Sequence, residues 1–286
     1  MTPHPASGRS AAALVAAAFV LFGSAPATAQ GTLKAHYRIS MTAVTIGHVS
    51  WTVDIGDGVY ATSASGKASG LMSMFVNGEG GVIARGSIDN GVPVPADFAS
   101  KIDDEDGATE LRIVFSDGMA RETIVRGQEA PKDRVPITDL HRRGTTDPLT
   151  AVLIPGAIEA GELAPSNCDR VLAIFDGRRR YNLVLSYRRR ERVTFATGYS
   201  GPALICGVIL QPIAGYRPDS MLVKYVADRR DMELWFAPLD GTAVMAPIRV
   251  VMPTALGTLK IEADDFITTA QMPALAPVAP NGAPAR

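Results

Sequence analysis

The sequence predicts a mainly β protein, all-β or α+β, in which a curved, spiral or half-barrel antiparallel sheet wraps around one or two short helices. Three observations lead there. Apolar and polar residues alternate at a period of two in most of the patterned stretches. The connections are short and rich in turn-favouring residues, as in Gly56-Asp57-Gly58, Ser116-Asp117-Gly118 and Asp240-Gly241. Alternating βαβ units are missing, which sets aside a dinucleotide-binding or doubly wound fold.

The chain begins with Arg9, an apolar stretch over residues 11–22 and the A-x-A pattern Ala27-Thr28-Ala29. Residues 1–29 therefore read as an export signal cleaved after Ala29. The stretch is shorter than the roughly 20 residues of a membrane-spanning helix. The residue at the cleavage point is Gln30, not the cysteine of a lipoprotein. The expectation is a periplasmic protein with no integral membrane segment. One β-rich domain fills residues 30–270, and the Pro/Ala-rich residues 271–286 read as a disordered tail.

Removing Arg9 with the leader leaves 27 basic against 29 acidic side chains, a net charge of −2. That balance gives no global signature for nucleic acid or a membrane surface. A hydrophobic content of 47% is enough for a packed core.

Residues 33–41 place Leu33, Ala35, Tyr37, Ile39 and Met41 on one face, as a half-buried strand requires. After Ile46-Gly47, Val49, Trp51, Val53 and Ile55 repeat the pattern. Residues 70–76 are too short to assign to a helix or an apolar turn by period. Strands are expected over residues 99–103, 110–115 and 119–125, and residues 128–143 read as an irregular crossing. Asp147-Pro148 is the one strong helix start: the carboxylate caps the first-turn amides, and proline suits the first helical position. Leu149, Val152 and Leu153 then form an apolar stripe at i, i+3 and i+4 that can plug a curved sheet. Further strands are expected over residues 171–175, 180–187, 192–197, 203–212, 232–237, 244–252 and 258–266. Residues 220–230 suit either a short helix or a strand.

Cys168 and Cys206 are the only cysteines. In an exported chain an even count reads as a structural disulfide, and without C-x-x-C spacing a redox role is disfavoured. Between them lie Arg170, Arg178, Arg179, Arg180, Arg188, Arg189, Arg190 and Arg192. Arg178, Arg179, Arg180, Arg188 and Arg190 form a candidate patch for phosphate or carboxylate groups. The competing account is a solvated strand face whose charges oppose edge aggregation. His36, His48 and His141 lack zinc-type spacing, so no metal and no cofactor is expected; His36 and His48 are candidates to face each other across the first hairpin. There is no G-x-S-x-G elbow, H-E-x-x-H or Walker loop, and Gly198-Tyr199-Ser200-Gly201-Pro202 reads as a turn.

Several stretches together carry a resemblance: Asp147-Pro148-Leu149-Thr150-Ala151, Cys168, Phe175-Asp176-Gly177-Arg178-Arg179-Arg180-Tyr181, Tyr199-Ser200-Gly201-Pro202-Ala203 up to Cys206, and Pro212-Ile213-Ala214-Gly215-Tyr216. With Trp235, Pro238, Pro247-Ile248-Arg249-Val250 and Gly257-Thr258-Leu259, the chain resembles the bacterial envelope family catalogued as domain of unknown function 3108. The likeness covers about residues 33–266. It implies an exported protein and carries over no catalytic residues. Its strand-rich layout is similar to half-barrel sheets of the periplasmic lipoprotein-carrier type.

The functional expectation is a non-enzymatic cell-envelope protein that binds an apolar, lipid-like ligand or an envelope protein partner. Two alternatives stand beside it. One is an enzyme acting on envelope glycan or lipid headgroups through the Arg-rich hairpin; the other is a purely structural scaffold.

Overall fold

The computed structural model describes residues 30–68, 78–104, 107–127 and 133–271. The expectations for the leader, for residues 70–76 and for the tail beyond Gln271 lie outside the described residues.

The first half is a meander of seven strands, β1 (Gly31–Met41), β2 (Val44–Gly56), β3 (Val59–Ala68), β4 (Gly78–Asp89), β5 (Val92–Asp104), β6 (Gly107–Ser116) and β7 (Met119–Arg126). Each pairs antiparallel with the next. Asp57-Gly58 turns β2 into β3 with φ of 52° and 75°, the left-handed pair that matches the twist of a hairpin. β4 and the first half of β5 are not anticipated by alternation, because glycines and prolines interrupt it. Thr42 and Ala43, at φ 45° and 70°, make the β1–β2 turn without any turn-favouring residue.

The crossing leads to α1 (Pro148–Ala151), then to the short strands β8 (Ile154–Pro155), β9 (Ile158–Glu159) and β10 (Glu162–Leu163). A 3-10 turn over Pro165–Cys168 precedes β11 (Arg170–Phe175), β12 (Arg180–Thr194), β13 (Thr197–Gly198) and β14 (Ser200–Ala214). Then come α2 (Met221–Ala227), β15 (Met232–Pro238), β16 (Val244–Thr254) and β17 (Gly257–Ala270). The segment 220–230 is thus helical, with the Ser220 hydroxyl accepting from the Val223 amide. β12 corrects the two-strand expectation. Residues 188–191 continue one ladder with β14, and a register shift between Tyr187 and Arg189 absorbs the change of face.

The main sheet has fifteen strands in the order β11, β12, β14, β15, β16, β17, β1, β2, β3, β4, β5, β6, β7; β8 lies beside β16 and β13 beside β17. The β13–β17 contact is parallel and the remaining pairings are antiparallel. The sheet is curled into a nearly closed barrel. A strap over residues 143–146 ties its two edges together. At β7, Arg143 bridges Met119, and the Gly144 amide donates to the Gly118 carbonyl at 2.6 Å. At β11, the Thr146 amide donates to the Ala173 carbonyl, and its own carbonyl accepts from the Phe175 amide, each at 2.9 Å.

Asp147 ends the strap and caps α1, whose single turn packs against β4, β5 and β11. The predicted stripe is present: Leu149, Val152 and Leu153 join a cluster with Leu33, Trp51, Val53 and Phe266. Leu149 also touches a second cluster of Phe98, Leu111, Ile113 and Phe175. Tyr60, fully buried, shares a 2.7 Å hydrogen bond with the Thr150 hydroxyl and so joins α1 to β3.

A third cluster surrounds Cys168 and Cys206. Their disulfide spans a Cα separation of 5.5 Å and ties the 3-10 turn to the middle of β14. Alternate residues of β14 serve different cores: Ala203 and Ile205 pack with Trp51 and Val53, while Leu204, Cys206 and Val208 pack with Leu234 and Phe236. A strand buried on both faces needs the continuous apolar run that residues 203–210 supply.

Candidate functional site: an apolar hollow at one end of the sheet

Strand directions place the β1–β2 turn, the ends of β3 and β5 and the start of β4 at one end of the sheet. The core-facing rows change character toward this end. One row crosses the sheet as Ala35, Trp51, Ala64, Val82 and Ser100. The next is Tyr37, Val49, Gly66, Gly80 and Ile102, and beyond it lie Ile39, Gly47 and Ala68. Small barrels are normally filled by their own inward side chains. Here glycine and alanine take the inward positions of β3 and β4, leaving a hollow of about 530 Å³.

Ile39, Ile46, Val49, Val82 and Ile102 supply its apolar walls. His48, Lys67 and Glu79 stand at its edge, the last two 3.7 Å apart as an ion pair. The glycines are fixed by the sheet itself: a Cβ on Gly66 would come within 2.9 Å of the Val49 side chain, and one on Gly80 within 2.9 Å of the Lys101 carbonyl. Sequence reasoning named the helix stripe and missed this hollow. Its only trace in the sequence is the replacement of large residues by glycine and alanine at alternate positions of 64–68 and 78–80.

The five arginines of the candidate patch are not brought together. Arg178, Arg179 and Arg180 lie at or beside the β11–β12 turn, whereas Arg188 and Arg190 sit about 26 Å further along an extended strand. Arg188 lies across Gly207 and donates to the Arg230 carbonyl at 2.9 Å. Arg190 donates to the Leu163 carbonyl at 2.7 Å and pairs with Glu162. Arg180 is folded onto the Tyr181 carbonyl and the Asn182 side chain, at 2.6 and 2.7 Å. These arginines mainly hold the β9–β10 hairpin and neighbouring strands in place. Arg189 does likewise: it bonds Glu233 at 2.7 Å and stacks 5.2 Å from the Trp235 ring centre, and this hydrogen bond holds the Glu233 carboxyl below its ordinary range.

Asp147 is completely buried. Its Oδ1 accepts from the Leu149 and Thr150 amides at 2.9 and 2.8 Å, and Oδ2 has no hydrogen-bond partner. Burial pushes its carboxyl above the usual carboxylate range against those hydrogen bonds. Its electrostatic neighbours include the phenols of Tyr60 and Tyr181, both raised by burial. The first-hairpin histidines do not oppose each other. A register shift between Ile39 and Ser40 sets His36 opposite Ser50 and His48 opposite Arg38. The His36 ring lies 2.8 Å from Asp265. Among the described residues no group of three or more His, Cys, Asp or Glu side chains is placed to hold a metal ion. Among them, too, no helix is long and apolar enough to cross a membrane.

Fold and site together define a disulfide-linked, barrel-like β protein with an apolar hollow at one end. The chain belongs to the family described as protein of unknown function DUF3108, whose model matches residues 36–264. Among solved structures it is similar to a beta-barrel-like protein of domain of unknown function DUF1849 from Brucella abortus. That likeness has 11% identity and a TM-score of 0.42, and covers 83% of this chain and 98% of the other. No curated protein matches.

Proposed function

We propose that this protein is a non-enzymatic component of the bacterial cell envelope that binds an apolar ligand, such as a lipid acyl chain, in the hollow between β1 and β5. One observation carries the reading: inward glycines and alanines leave about 530 Å³ open beside aliphatic walls. That volume falls within the roughly 300–1,000 Å³ of ligand sites. Each methylene buried there contributes about 0.8 kcal/mol before the cost of association. The A-x-A leader supports a periplasmic location. The division of the hairpin arginines into two groups favours binding over a single catalytic surface.

Delipidated protein titrated with a dansyl-labelled fatty acid tests the reading. Saturable fluorescence enhancement is expected. The variant Ala64→Leu/Ala68→Phe, which fills the hollow from positions facing it, should weaken binding at least about tenfold, equivalent to about 1.4 kcal/mol. Absence of saturable binding, or equal affinity in a filled variant that still melts cooperatively, would overturn the proposal.

A further inference from the structure

We propose that the β11–β12 turn holds an anionic group, a phosphate or carboxylate, between the guanidinium groups of Arg134, Arg178 and Arg179. Three segments converge there. The Val135 amide donates to the Tyr216 carbonyl at 2.9 Å, and the Gly215 amide donates to the Val135 carbonyl at 2.8 Å, which fixes Arg134 beside the end of β14. Gly215, at φ 82°, lies directly under the turn: a Cβ would sit 2.1 Å from the Arg178 carbonyl oxygen and 2.8 Å from the Arg179 Cα. Only glycine permits that approach. Arg179 in turn rests over the Tyr216 ring, 5.7 Å from its centre.

This packing confines Arg134 among like charges. Its Nη1 is buried and has no hydrogen-bond partner among the described residues. Burial, followed by the charges of Arg179 and Arg178, holds its guanidinium below the usual arginine range, with Asp176 and Asp133 pulling the other way. Both acids are already engaged. Asp176 Oδ1 accepts from the Arg178 and Arg179 amides at 2.9 and 2.6 Å and its Oδ2 lies 4.0 Å from the Arg179 guanidinium, while Asp133 pairs with Arg217 at 2.9 Å. A buried guanidinium N–H left without an acceptor beside two further arginines is a site that an anion completes, since charge-assisted bonds to its oxygens both satisfy the donor and offset the repulsion. Arg180 faces its own strand, and Arg188 and Arg190 lie too far along it to take part.

The site shares no residue with the hollow, so either can fail alone. The experiment measures binding of inorganic phosphate by calorimetry and of phosphatidylglycerol vesicles by co-sedimentation, with phosphatidylcholine vesicles as reference. Arg134→Gln and the more exposed Arg179→Gln should each weaken binding about tenfold or more. Arg38→Gln, an equal charge change at an exposed ion pair on β1, should leave it unchanged. Melting curves report whether each variant folds, and Arg134→Lys should recover part of the affinity. A response to phosphate alone assigns a free anion, and a response confined to phosphatidylglycerol vesicles assigns a lipid headgroup. Wild-type protein that binds neither, or binding that survives both Gln substitutions, overturns the proposal.

Discussion

Asp147 makes the energetics of the strap measurable. Replacing it by asparagine keeps an oxygen for the Leu149 and Thr150 amides and removes the charge from a side chain whose other oxygen is buried and unpartnered. Burial raises the folded-state carboxyl above its unfolded value of about 3.9, so the folded state binds the proton more tightly. The associated stability is fully present below about pH 4 and is lost as pH rises through the folded pKa. At pH 7 the charged, unpartnered oxygen costs about 1–3 kcal/mol. Asp147→Asn should therefore match wild type near pH 4 and exceed it by about 1–2 kcal/mol at pH 7. Asp147→Ala loses the acceptor of two buried amides and should lie about 2 kcal/mol below Asp147→Asn at every pH. Urea denaturation from pH 4 to 8 reads the difference between variants and cancels the titration they share. An asparagine variant as unstable as the alanine one, or a difference between the asparagine variant and wild type that does not change with pH, would refute the reasoning.

The disulfide closes a loop of sequence separation 38, so Cys168→Ser with Cys206→Ser should cost about 4 kcal/mol on the chain-entropy estimate; an unchanged urea midpoint would contradict this. Ala43 sits at φ 70° in the β1–β2 turn, and Ala43→Gly should raise stability by about 0.5–1 kcal/mol, read as a higher melting temperature. Glu233 behaves oppositely to Asp147: the Arg189 hydrogen bond lowers its pKa, so its contribution holds above the ordinary value of 4.5 and is lost as pH falls. Glu233→Gln should accordingly flatten the acid limb of the stability profile; an acid limb as steep as wild type would count against that role.

The sequence made some features plain because their chemistry is local. Asp147-Pro148 specifies a helix start by the cap alone, Asp57-Gly58 a two-residue turn, and the paired cysteines a cross-link. Other features depend on distant partners. Nothing in Thr42-Ala43 announces a turn; the flanking ladder of β1 and β2 imposes it. The arginine run at 188–190 breaks apolar alternation, yet its backbone stays extended because β14 pairs with the strand on both sides of the bulge at Arg188. The hollow depends on side chains missing from three adjacent strands, and it becomes legible only when register sets Gly66 beside Gly80 and Gly47 beside Ala68. Arg134 hides in a proline-flanked crossing and gains significance only from the turn packed against it.

Placing β17 beside β1 makes the first strand of the domain wait for the last. The Gln271 amide donates to the Gln30 carbonyl at 3.0 Å, so both ends of the domain finish at one point near the middle of the strand order. Synthesis from the N-terminus therefore leaves β1 with one edge bare until the final strand emerges, and a chain truncated before residue 257 would expose β1 and β16 together. The contact that completes the sheet spans nearly the whole domain, a long-range pairing that costs loop-closure entropy before it stabilises anything. Incomplete copies present two unpaired edges, a feature that proteolysis or aggregation can distinguish from the finished molecule.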